Sequence, residues 1–117
     1  MIVFRVTGGP VFGKNDKYKV GDVVENKFVT TCDMALMALA IWNMVRGNPD
    51  TEIAVIECYK WRRPTMDEKC GIDYPADLEE KICIKGKVLK VIKAKRLIEC
   101  FKKAKPGLVR AMYNKYS

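Results

Sequence analysis

The sequence predicts a single small α+β domain, with a mixed or antiparallel sheet around a buried central helix and basic helices at its C-terminal end. Three observations predict it. Residues 1–6 and 53–59 are short β-branched runs of strand length. Residues 34–45 are apolar on nearly every face, as a buried helix requires. Beyond residue 92, apolar side chains recur at helical spacing among lysines. A chain of 117 residues has room for one such core and not two, and 49% hydrophobic with 31% charged residues excludes a disordered chain. We find no repeat or linker, and divide the domain into a body, 1–92, and a basic helical tail, 93–117.

Taken in order, the strand at 1–6 carries one charge, Arg5, and is stopped by Gly8-Gly9-Pro10. Residues 18–24 and 27–31 read as two further strands. Thr30 or Thr31 then supplies the N-cap of the central helix, with Asp33 in its first turn, and Arg46-Gly47-Asn48-Pro49 ends it. Residues 53–59 read as an interior strand, 60–78 as a long polar connection, and 81–84 with 87–92 as a hairpin or bent strand pair about Lys85-Gly86. In the tail, Ala94, Leu97, Ile98, Phe101 and Ala104 form an apolar helix face, and Pro106-Gly107 separates it from a second short helix.

The net charge of +8 is unevenly placed. Residues 1–80 hold 10 Lys/Arg against 13 Asp/Glu, whereas 81–117 hold 12 Lys/Arg against Glu99 alone. Such asymmetry points to a polyanionic partner or to a solvated lysine face. The absence of histidine excludes Ser-His-Asp and Cys-His catalysis and His-ligated zinc within one chain. Five cysteines spaced 26, 12, 13 and 17 apart contain no C-x-x-C pair, so no metal set is expected, and reduced thiols in a cytoplasmic protein are the natural reading. With no signal-peptide pattern and no run long enough to span a bilayer, membrane attachment is not expected.

Three segments carry candidate chemistry. The stretch Phe28-Val29-Thr30-Thr31-Cys32-Asp33 puts hydroxyls and unpaired backbone amides at a helix start, which serves either an anion or ordinary capping. Tyr59-Lys60-Trp61-Arg62-Arg63 interleaves aromatic rings with cations, so Trp61, Arg62 and Arg63 are candidates for stacking on bases and binding phosphate, or else cover the end of a strand. On the tail, Lys95, Arg96, Lys102, Lys103 and Lys105 are candidates for salt-sensitive contact with RNA, DNA or an acidic protein surface.

Arg5 on the first strand, Lys19-Val20-Gly21-Asp22-Val23-Val24, Phe28-Val29-Thr30-Thr31 opening an alanine-rich helix, and Glu79-Glu80-Lys81-Ile82-Cys83-Ile84 resemble, in that order, the ADP-ribosyltransferase fold of the arginine-serine-glutamate class. The resemblance covers about residues 1–92. It implies NAD as cofactor and Arg5 as a phosphate or ribose contact. It also implies Thr30 and Thr31 in place of the family's serine-threonine motif, and Glu79 or Glu80 as the catalytic carboxylate that orients a ribose hydroxyl. A divergent relative that keeps only a binding surface fits the same residues, so catalysis is left open. Two further readings stand beside it: a non-enzymatic basic module binding nucleic acid or an acidic protein, and a small regulator or inhibitor of viral or mobile-element type.

Overall fold

A computed structural model describes residues 1–7, 17–70 and 80–117. Along the chain these form β1 (Ile2–Thr7), β2 (Val23–Val29), α1 (Asp33–Val45), β3 (Glu52–Arg62), α2 (Met66–Cys70), β4 (Lys81–Lys93), α3 (Ala94–Ala104) and α4 (Pro106–Tyr116). The four strands make one antiparallel sheet in the order β1-β3-β4-β2. Its two outer strands turn toward each other and meet where Phe4 and Thr30 exchange backbone hydrogen bonds, both 2.9 Å. The sheet is therefore curled, and its two faces have separate cores.

Strand alternation assigns side chains to those cores. Inside the curl lie Val3, Val24, Val29, Ala54, Ile56, Cys58, Cys83 and Val88. On the outer face, Val6 and Ile53 join α1, α3 and α4, with Leu36, Leu39, Ile41, Ala94, Ile98, Val109 and Met112 buried among them. Nine consecutive α1 residues, Ala35 to Asn43, are buried, as expected of a helix without a polar face. The α+β architecture, the central helix and the basic C-terminal helices are those read from the sequence.

Several boundaries differ from the reading, each for a physical reason. The expected strands 18–24 and 27–31 are one strand, β2. Its polar middle is an irregularity at Asn26, whose φ of 53° lies in the left-handed region that Asn tolerates, and the register with β4 is the same on either side of it. The preceding segment is instead a turn, in which Asp22 accepts the Lys19 amide at 2.8 Å. The N-cap of α1 is Cys32 rather than either threonine, because Thr30 is committed to the sheet through Phe4.

Lys85-Gly86 is no turn: β4 runs through it without a break. A Cβ at Gly86 would lie 2.7 Å from the Glu57 carbonyl oxygen and 2.9 Å from Cys83 Sγ and Ile56 Cγ2, so only glycine lets β3 and β4 approach here. Part of the expected connection 60–78 is ordered structure. Residues 60–62 extend β3, and a capping box opens α2: Glu68 Oε1 accepts the Thr65 amide at 2.8 Å, while Thr65 Oγ1 accepts the Glu68 amide at 3.3 Å. No described helix is long and apolar enough to cross a membrane.

A buried polar joint fixes the helices against the sheet. Asn43, fully buried at the end of α1, donates to Thr51 Oγ1 (2.9 Å), and Thr51 Oγ1 donates to the Asn48 carbonyl (2.6 Å). The Asn48 amide returns two bonds to Asn43, to its backbone carbonyl at 3.0 Å and its side-chain oxygen at 3.1 Å. The Thr51 carbonyl accepts the Ala94 amide at 3.0 Å, which sets the point where β4 becomes α3.

Candidate functional site

Four residues read as nucleotide-binding or catalytic candidates gather at one end of β2. Arg5 points into the curl and donates from Nη1 to the Phe28 carbonyl at 2.8 Å, joining the outer strands a second time beside the Phe4–Thr30 bridge. Thr30 is buried, and its hydroxyl accepts the Cys32 amide at 3.4 Å. The Thr31 amide donates to Glu80 Oε1 at 2.9 Å, and the Lys81 ammonium lies 3.5 Å from the same oxygen. An anion is favoured at this helix start, and the chain's own Glu80 supplies one. Glu79 lies outside the described residues.

The aromatic and cationic run is found at the far end of β3, where β1 no longer accompanies it: the last β1 contact is the Cys58 amide donating to the Met1 carbonyl at 2.8 Å. Tyr59 and Trp61 are exposed, and the Lys81 ammonium sits 4.9 Å from the Trp61 ring centre, within cation–π range. Arg62 is engaged in a two-pronged pair with Glu68, both bonds 2.7 Å. That guanidinium, with the Thr65 amide, holds the Glu68 carboxyl well below its ordinary range, at about 2. Arg63 is exposed.

The tail cations converge most clearly. Helix α3 buries Ala94 and Ile98 and turns Lys95, Arg96, Lys102 and Lys103 outward. Between this helix and the end of β4 lie two adjoining depressions. One, of about 370 Å³, has Val91, Ile92 and Leu97 among its lining, with Lys90, Lys93 and Arg96 at its rim. The other, of about 550 Å³, is lined by Lys93, Lys95, Arg96, Glu99, Cys100 and Lys103. Lys93, Arg96 and Cys100 belong to both, so five cations and one acid border a continuous groove. Lys93 is also 3.5 Å from Glu52 Oε2. Among the described residues, Lys90, Lys95, Arg96 and Lys103 form no ion pair and remain available to an external anion. Lys102 is exposed in the last turn of α3 and Lys105 caps its end, both outside the groove lining.

Lys90 and Lys93 were not candidates in the sequence. Their signal is the lysine excess beginning at Lys81, but only the turn from β4 into α3 brings them beside Arg96. The four described thiols divide by burial. Cys32 and Cys100 are exposed, whereas Cys58 and Cys83 are buried together inside the curl, where burial and the neighbouring Cys58 push the Cys83 thiol up to about 12. Among the described residues no cluster of three or more His, Cys, Asp or Glu could hold a metal ion. The chain matches no family model, no curated protein and no solved structure.

Proposed function

We propose that the protein is a non-enzymatic basic module that binds nucleic acid through the groove between β4 and α3. The observation that carries this reading is the convergence of Lys90, Lys93, Lys95, Arg96 and Lys103 on one depression, opposed there by Glu99 alone. Such a groove meets the regular negative charge of a phosphate backbone with cations of which Lys93 alone is paired, to Glu52, while Val91, Ile92 and Leu97 offer an apolar surface to the flat face of a base or sugar. The contact is chiefly electrostatic and of low sequence preference.

The test is fluorescence anisotropy with a labelled single-stranded RNA and a duplex DNA across a salt series. For about four phosphate contacts on a single strand, affinity should fall about 50-fold over a fourfold rise in salt. Arg96→Glu with Lys103→Glu should abolish binding, whereas Lys115→Glu, which lies between α1 and α4 and not in this groove, should reduce it only slightly. Absence of binding to either probe at low salt refutes the reading.

A second reading, an ADP-ribosyltransferase-like nucleotide site, is favoured by the bond between Thr31 and Glu80 and by the position of Arg5 beside the same strand end. It predicts a rise in melting temperature with millimolar NAD, removed by Glu80→Gln. An unchanged melting temperature overturns it.

A further inference from the structure

An apolar recess adjoins the cationic groove. It lies between α1, α3 and the outer face of the sheet, with a volume of about 230 Å³, and Phe4, Val55, Ile92, Leu97 and Phe101 are among its lining. Each of these five is only half-buried, so the recess is open to solvent. Ile92 and Leu97 line the groove as well, and Val55 on β3 is the direct cross-strand neighbour of Phe4 on β1 and of the groove's Lys90 on β4. The recess is smaller than the roughly 300 Å³ at which pockets for drug-sized molecules begin. Its single polar lining residue is Asp33, the first residue of α1, which is exposed. Among the described residues the Asp33 carboxylate has no ion-pair or hydrogen-bond partner.

We infer that this recess is a base pocket: it takes one unstacked base of a single strand whose phosphates lie along the groove, and Asp33 selects a base that carries an amino group. The base pocket presupposes the nucleic-acid groove proposed above and adds to it a preference at one nucleotide. Groove and recess suit different parts of the same ligand. Lys90, Lys93 and Arg96 meet phosphate, and beside them an apolar slot with two aromatic rings, Phe4 and Phe101, meets the face of a base. In a duplex every base is stacked and paired, so neither its face nor its amino group can enter, whereas a single strand offers both. A carboxylate only accepts hydrogen bonds. The amino groups of cytosine, adenine and guanine donate to it, while uracil presents a carbonyl oxygen where cytosine has its amino group. The negative charge of Asp33 also keeps phosphate out of the recess, which decides the part of the strand that enters.

The test is fluorescence anisotropy at low salt with three labelled probes: short oligocytidine and oligouridine RNAs of equal length, and a duplex RNA. The two single strands share a backbone and differ in the edge their bases present. Wild-type protein should bind oligocytidine about tenfold more tightly than oligouridine. Asp33→Asn, whose amide both donates and accepts, should erase that difference. The readout is the ratio, because loss of a negative charge raises affinity for every polyanion. Val55→Phe fills the recess from the sheet. With folding confirmed by a melting curve, it should bring oligocytidine to the oligouridine level and leave duplex binding unchanged. Equal affinity of wild type for the two strands, or a preference that survives Asp33→Asn, overturns the base pocket and leaves the groove standing. Failure of all three probes to bind overturns the groove and the base pocket with it.

Discussion

Asn43 and Thr51, eight residues apart in sequence and both fully buried, share a 2.9 Å hydrogen bond that ties the end of α1 to the start of β3. The threonine carbonyl in turn receives the first amide of α3. The orientation of the cationic helix therefore depends on a polar contact inside the molecule. Asn43→Ala removes the donor to Thr51 Oγ1 and one of the two acceptors of the Asn48 side-chain amide at a buried position, and should cost about 2 kcal/mol. Urea unfolding of Asn43→Ala, Thr51→Ala and the double variant checks this, with a non-additive double variant as the expected sign of coupling.

Gly86 measures how closely β3 and β4 must approach. Gly86→Ala places a methyl group 2.7 Å from the Glu57 carbonyl oxygen, which is backbone and cannot rotate away. We expect a loss of about 2 kcal/mol or more by denaturant titration, against the slight gain that alanine normally brings in a strand. Unchanged stability would show that the strands can separate here.

The pair between Arg62 and Glu68 should be visible in a titration. The Glu68 carboxyl, held by Arg62 and the Thr65 amide, titrates at about 2 in the folded protein, against an ordinary 4.5. A lowered folded value means that its stabilisation is fully present above about 4.5 and is lost as pH falls toward 2. Carboxyl chemical shifts followed by NMR should show Glu68 titrating at about 2. Arg62→Ala should move it back toward the ordinary value.

Thiol chemistry should follow burial. At pH 8, Cys32 and Cys100 should be alkylated by iodoacetamide within minutes, while Cys83, raised to about 12, and Cys58 stay unmodified until the protein unfolds. Peptide mass spectrometry over a time course reads this directly. If nucleic acid occupies the β4–α3 groove, its addition should slow modification of Cys100 and leave Cys32 unaffected.

The central helix was legible because thirteen residues without a polar face admit one interpretation, and Arg46-Gly47 closes it with a glycine at φ 89°. The amphipathic α3 was legible for the same reason, its spacing being local. What escaped the sequence was non-local or small. Asn26 looked like a break because a residue that tolerates positive φ serves a turn and a local strand irregularity equally well. Gly86 looked like a hairpin because close approach by another strand leaves no mark on its neighbours. The Thr65 and Glu68 capping box was readable in the spacing but lay within a stretch whose composition resembles a loop. Of the groove, the helix half was legible and the strand half was not, since Lys90 and Lys93 gain their place only from the bend into α3.

The strand order has a consequence for how the molecule forms. β4 lies between β2 and β3, so β2, finished at Val29, waits for its neighbour until Lys81 and beyond have been made. Until then β2 has no strand along its length and the outer-face core lacks α3 and α4. β1, α1 and β3 can come together as they are made, but the sheet cannot be completed progressively from the N-terminus. Closing it on β4 is a late step, dominated by distant pairings and correspondingly slow. While it is being made, its most apolar helix depends on whatever surrounds the growing chain to keep it from aggregating.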